Sequence, residues 1–253
     1  MNWRYAVVLA GVFASPAHAV EALRLTYDAA GSPVTFERDN AGTIQVDGLP
    51  YPGLVLYRPS NGVVYYQHPD IPKWISVPTG TAVGVSATLA KGAAWEKWQD
   101  QPSYRYDLKV TDNGVQEDCG PLYASPGAGV QAGLNVADIW RILTAVAWLN
   151  AGKAAPACDR LVAEPAHGQA AGLPIHFNGP NGEWQLKELA RTGVAKIDLP
   201  PAAEPVDEQA RLDLMLRQFG PDERKKFLTQ YSSLPLGQQV KLLEDALMGS
   251  GQP

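Results

Sequence analysis

The feature that most constrains this chain is an alternation of apolar and polar residues at period two. It dominates from Val20 to about Val110. Leu23, Leu25 and Tyr27 alternate with Arg24 and Thr26, and Val34 and Phe36 flank Thr35. Ile44 and Val46 alternate with Thr43 and Gln45, and Tyr104, Tyr106, Leu108 and Val110 with Arg105, Asp107 and Lys109. A strand turns successive side chains to opposite faces, so each run predicts a strand with one dry and one wet face. Asp39-Asn40-Ala41-Gly42, Pro59-Ser60-Asn61-Gly62 and Asp112-Asn113-Gly114 lie between the runs. Gly and Asn tolerate positive φ, so these are hairpin turns and neighbouring strands are expected antiparallel.

Gly53–Val77 is the most strand-rich stretch, with strands over Leu54–Arg58, Val63–His68 and Lys73–Val77. Its middle strand, Val63-Val64-Tyr65-Tyr66, is apolar on both sides, which predicts cover on both faces. Residues 85–99 (VSATLAKGAAWEKWQ) are ambiguous; their alanines and the Trp95/Trp98 spacing favour a helix, which Gly92 weakens. The clearest helix runs from Val136 to Leu149, with Asn135 as its cap and Asp138 at the capping-box position. It is apolar nearly all round, except for a narrow polar strip of Asp138, Arg141 and Thr144, so it must be buried. Pro174–Phe177 and Glu183–Leu186 predict another hairpin, and Thr192–Asp198 a further strand. A Pro-rich stretch over 199–206 reads as a linker. Amphipathic helices are expected over Asp207–Phe219, Pro221–Tyr231 and Leu236–Met248.

The first 19 residues read as a cleavable secretory signal. Arg4 precedes a ten-residue apolar run, YAVVLAGVFA, and Ala17-His18-Ala19 ends it as a small-residue cleavage site. The run is too short for a bilayer, which needs about 20 residues. The mature chain is expected to be soluble and periplasmic, without a transmembrane segment. Cys119 and Cys158 are the only cysteines, so an oxidising compartment should join them. The chain divides into the signal, a sheet domain over 20–198, the linker over 199–206 and a helical segment over 207–253.

The functional signals are mostly absences. A net charge of −5 argues against nucleic-acid binding, which rests on clustered Lys and Arg. Gly127, Gly129 and Gly133 are spaced one residue too widely for a dinucleotide loop and read as a flexible loop before a helix, so no cofactor is expected. Ser86, Ser103 and Ser125 lie in no nucleophile context. His68 and His176 with an acid such as Asp70 form a conceivable metal site, but their spacing predicts nothing. Arg224-Lys225-Lys226 reads as a solvated helix face. Tyr65, Tyr66, Trp95, Trp98 and Trp140 are the aromatics best suited to line an apolar cleft.

The order of elements resembles the LolA/LolB lipoprotein-carrier superfamily. The likeness is carried by VTFERDNAGTIQVDG followed by GLVLYRPSNGVVYYQHPDIPKWISV over Val34–Val77, and by Tyr104–Gly120, where a cysteine closes a strand. It extends over residues 20–198; the helices at 207–248 depart from the pattern, and a bridge between Cys119 and Cys158 is not general to the carriers. The resemblance implies a half-barrel sheet around helices, an interior able to take acyl chains, and no catalytic residues.

The sequence therefore predicts an α+β protein: a curved antiparallel half-barrel sheet, a buried central helix and a small C-terminal helical tail. The expected function is non-enzymatic binding of a hydrophobic small molecule or acyl chain, free or on an acylated partner. The alternatives are contact with a cell-envelope protein through the C-terminal helices, and an exported metal-dependent hydrolase.

Overall fold

Each expected hairpin forms in the computed structural model, which describes residues 22–250 apart from 79, 83, 194 and 195. The signal segment and its cleavage after Ala19 lie outside the described residues. Strands β1 (Leu23–Ala29), β2 (Ser32–Arg38), β3 (Ile44–Asp47), β4 (Leu54–Arg58), β5 (Val63–Gln67) and β6 (Trp74–Val77) form an antiparallel meander. β7 (Val85–Ala94), β8 (Tyr104–Asp112) and β9 (Val115–Ser125) form a second one. β10 (Leu161–Ala163), β11 (Leu173–Gly179), β12 (Gly182–Arg191) and β13 (Ala203–Pro205) complete the strands.

All thirteen described strands join one sheet, ordered β10-β7-β8-β9-β11-β12-β1-β2-β3-β4-β5-β6-β13. Pairing is antiparallel except at its two ends, where β10 runs parallel to β7 and β13 parallel to β6. The sheet is not closed. Its register shifts at Thr26/Tyr27, Lys91/Ala94, Asp107/Lys109 and Pro174/His176. Such irregularities bend strands and add twist.

The sheet curls around α2 (Val136–Ala151). β10 at one edge and β5 near the other both pack on this helix, which a flat sheet would not allow. Asn135 and Asp138 make the reciprocal capping box, and Gly152 ends the helix. Ile139, Trp140, Ile142, Leu143, Val146 and Leu149 are all buried. Burying a large apolar side chain contributes roughly 1.5–3 kcal/mol, so the sheet's dry face and α2 define one core. The Cys119–Cys158 disulfide links β9 to the turn Ala157–Asp159 beyond α2.

The structure corrects several sequence expectations. Residues 85–94 form strand β7, not a helix, with Val85 and Ala87 on the dry face; tertiary pairing with β8 overrides their alanine content. The glycine-rich stretch is helix α1 (Pro126–Ala132), not a loop. Gly129 is needed there because a Cβ would meet Gly172 Cα and Leu173 N at 2.8 Å. The short helix α3 (Pro165–Ala171) was not expected. Residues 192, 193 and 196–198 form no strand. The stretch read as a linker carries β13, which extends the sheet. In β5, Val64 and Tyr66 are buried while Val63 and Tyr65 are half-buried on the outer face.

The C-terminal helices are α4 (Glu208–Leu216), α5 (Pro221–Tyr231) and α6 (Leu236–Ser250). α4 joins two cores. Its Ala210 and Leu214 belong to the main core, while Leu212, Met215 and Leu216 pack with Val240, Leu243 and Leu247 of α6. The Arg211 guanidinium lies 4.3 Å from the Trp148 ring and 2.7 Å from Glu244.

Candidate functional site

Because the sheet is open, it leaves a gap where its two ends approach across α2. The gap encloses a cavity of about 360 Å³. One wall is Val64 of β5 and Val77 of β6, dry-face residues directly opposite each other in the ladder. The other wall is Ser86 of β7 and Leu161, Val162 and Ala163 of β10. The floor is Ala137, Arg141, Thr144 and Ala145, which share one face of α2 at helical spacing. Pro78, Gly80 and Ala82 contribute to the rim.

The wall built from β7 and β10 is tightly fixed. Thr144 Oγ1 donates to the Leu161 carbonyl at 2.7 Å, tying the floor to β10. A Cβ on Gly84 would lie 2.1 Å from Val162 Cγ2 and 3.1 Å from the Arg160 carbonyl oxygen, so β7 starts against β10 only with glycine there.

Arg141 is the one ionisable residue among the described lining residues. Its Nη1 donates to the Tyr57 hydroxyl at 3.0 Å, and that hydroxyl donates to Asp138 Oδ1 at 2.9 Å. Asp138 Oδ2 accepts from the Asn135 backbone N–H at 3.2 Å and from Asn135 Nδ2 at 2.7 Å. Burial pushes the Asp138 carboxyl above its ordinary value, against the opposing pull of its hydrogen bonds and of Arg141. Burial, then the Asp138 charge, holds the Tyr57 hydroxyl far above the usual phenol range, so it stays a donor. Among the described residues, Arg141 makes no ion pair. The lining offers a mostly apolar volume, one cationic fork and the Ser86 hydroxyl. The Thr144 hydroxyl is already committed to a carbonyl, and no described lining residue is a His, Cys or carboxylate.

The five aromatics singled out from sequence are not gathered here. Tyr66 is fully buried, its hydroxyl donating to the Pro52 carbonyl at 2.7 Å, and Trp140 is buried in the core. Tyr65 is half-buried on the opposite face of β5. Trp95 follows β7 and is 39 % exposed, with its ring centroid 3.9 Å from that of Tyr123. Trp98 is partly buried against the core. The helical reading of 85–99 placed both tryptophans on one face of a helix that does not form. Arg141 and Thr144 did carry a signal, as the polar strip on an otherwise apolar helix, but nothing in the sequence showed that this strip faces a gap.

The remaining candidates are separated. His68 follows β5, is buried, and accepts the Asp70 backbone N–H at 3.1 Å. His176 lies on β11 and pairs with Glu183 at 2.5 Å. Five strands intervene between β11 and β5 in the sheet. Among the described residues, no group of three or more His, Cys, Asp or Glu side chains is placed to hold a metal. No single described helix is long and apolar enough to cross a membrane.

No protein-family model matches this chain, and no curated protein matches it. Among solved structures, an uncharacterized conserved protein from Thermus thermophilus is similar, with a TM-score of 0.32 and 11 % sequence identity. The match covers 74 % of this chain and 90 % of that one.

Proposed function

We propose that this chain is an exported, non-enzymatic binding protein of the LolA/LolB type, which holds a hydrophobic small molecule or an acyl chain in the gap above α2. The observation that carries this reading is the cavity itself: about 360 Å³, walled by Val64, Val77, Leu161 and Ala163, at the opening of a curled sheet. Binding sites for small molecules are concave, mostly apolar and set with a few polar groups, with volumes of roughly 300–1,000 Å³. The disulfide supports an oxidising, periplasm-like compartment. The test is native mass spectrometry of the exported protein, with titration by the neutral fluorophore N-phenyl-1-naphthylamine. Retained lipid or saturable fluorescence supports the reading; an empty protein that leaves the fluorophore dark contradicts it.

The helical tail supports a second reading, contact with a cell-envelope protein. α5 buries none of its residues, and Leu228, Leu236 and Met248 are exposed. Removing the tail would test this poorly, because α4 contributes Leu214 to the main core. Leu228→Glu and Met248→Glu leave that core intact. Loss of crosslinks to an envelope protein in these variants supports the reading, and unchanged crosslinks contradict it.

A further inference from the structure

We propose that the gap selects single-chain amphiphiles with an anionic oxyacid head, a carboxylate or a phosphate monoester, held by the Arg141 guanidinium. This rests on the gap being a binding cleft and goes further by naming the chemistry of its ligand.

The argument starts from a cation in an apolar wall. Arg141 is half-buried and has no ion pair among the described residues. Placing a charge against apolar surface costs free energy unless a counter-charge meets it. The acid one helical turn away compensates only in part: Asp138 attracts Arg141 through space but commits both oxygens to Tyr57 and Asn135, so no carboxylate contacts the guanidinium among the described residues. Tyr57 holds the guanidinium through one N–H without neutralising it, since a neutral hydroxyl accepts that bond. Tyr57 is thus a positioning residue, and the other N–H groups of Arg141 remain to meet a ligand. A planar guanidinium matches carboxylate and phosphate oxygens in bidentate geometry.

The rest of the lining fixes the other end of the ligand. Val64, Val77, Ala145 and Leu161 present only hydrocarbon. The Thr144 hydroxyl is spent on the Leu161 carbonyl and offers no competing donor. A volume of about 360 Å³ is near the lower bound for ligand pockets and suits one chain, not two.

The test uses the whole exported protein and displacement of bound N-phenyl-1-naphthylamine by palmitate, palmityl phosphate and palmityl alcohol, which share one chain. At least one anion should bind about 10-fold tighter than the alcohol, as expected of a charge-assisted hydrogen bond. Arg141→Gln should erase that advantage, while Arg141→Lys should keep part of it. Unaltered far-ultraviolet circular dichroism and an unaltered urea midpoint show that the variants fold. Equal affinity of all three ligands for the unaltered protein, or an anion advantage that survives Arg141→Gln, overturns the proposal. Displacement by inorganic phosphate alone would indicate a free-anion site and overturn it too. If neither fluorophore nor any of the three ligands binds, the cleft reading itself fails, an outcome distinct from equal binding of all three.

Discussion

Arg141 on α2 donates to the hydroxyl of Tyr57 on β4 at 3.0 Å, and the same hydroxyl donates onward to Asp138 at 2.9 Å. One tyrosine therefore ties the capping box of α2 to the sheet and orients the cationic group of the gap. Tyr57→Phe removes both bonds while keeping the buried ring. Leaving the half-buried Asp138 carboxylate short of one donor costs about 1–3 kcal/mol. Urea unfolding should show a loss of that size, and an unchanged midpoint would contradict the account.

The disulfide closes a loop with a sequence separation of 39 that contains all of α2. Chain-entropy arguments give a stabilisation of about 4 kcal/mol for a loop of this length, and typical values are about 2–4. The double variant Cys119→Ser, Cys158→Ser should lose stability in that range. Its unfolding should become insensitive to reductant, whereas that of the unaltered protein should not be.

Asp159, beside the disulfide, has its carboxyl pushed up to about 6, by burial first and then by Glu117, with Arg160 opposing. The sign follows from proton counting. Between the ordinary value of 3.8 and about 6 the folded state binds the proton more tightly than the unfolded chain. Stability should therefore fall as pH rises through that window. Asp159→Asn should flatten this slope and, after allowance for solvent screening, raise stability at neutral pH by about 1–2 kcal/mol. Unfolding midpoints measured across the window check it; a slope unchanged by the substitution would contradict the assignment.

His68 behaves in the opposite sense. Burial, then the charges of Arg217 and Arg224, lower its pKa, and Asp70 opposes them. Its folded form favours the neutral ring, so stability should drop as pH falls below the ordinary value of 6.5. Arg217 also reaches Asp70 at 2.8 Å, so protonation would strain the seam between the sheet and the segment after α4. His68→Gln should remove this component of acid destabilisation, read from thermal midpoints on either side of that pH.

Leu214 is fully buried in the main core, while Leu228 is 39 % exposed. Leu214→Ala should cost about 2–5 kcal/mol, and Leu228→Ala no more than about 0.5. Equal costs would mean that α4 is not anchored as described.

The fold was legible where a residue's neighbours in sequence are also its neighbours in space. The hairpins of β1 to β6 follow from alternation and turn chemistry, and α2 from its cap and apolar girth. β7 was not legible, because alanines that favour a helix in isolation are held extended by β8. β13 was hidden because Pro-rich composition resembles a linker, and an edge strand tolerates proline. The cysteine pair was readable because only one pairing exists. The lining of the gap was not, since it depends on how far the sheet curls, and that sets which dry-face residues stay uncovered. Aromatics that look like a ligand platform, such as Tyr66 and Trp140, fill the core instead. Smaller residues, Val64, Val77 and Ala145, leave the space.

The most direct measurement is methyl NMR of the protein during titration with palmitate. The account predicts saturable shifts at the methyl groups of Val64, Val77, Ala145 and Leu161, on both walls and the floor of the gap. Shifts confined to the C-terminal helices, at Leu228, Leu243 or Met248, or no saturable shifts at all, would contradict it.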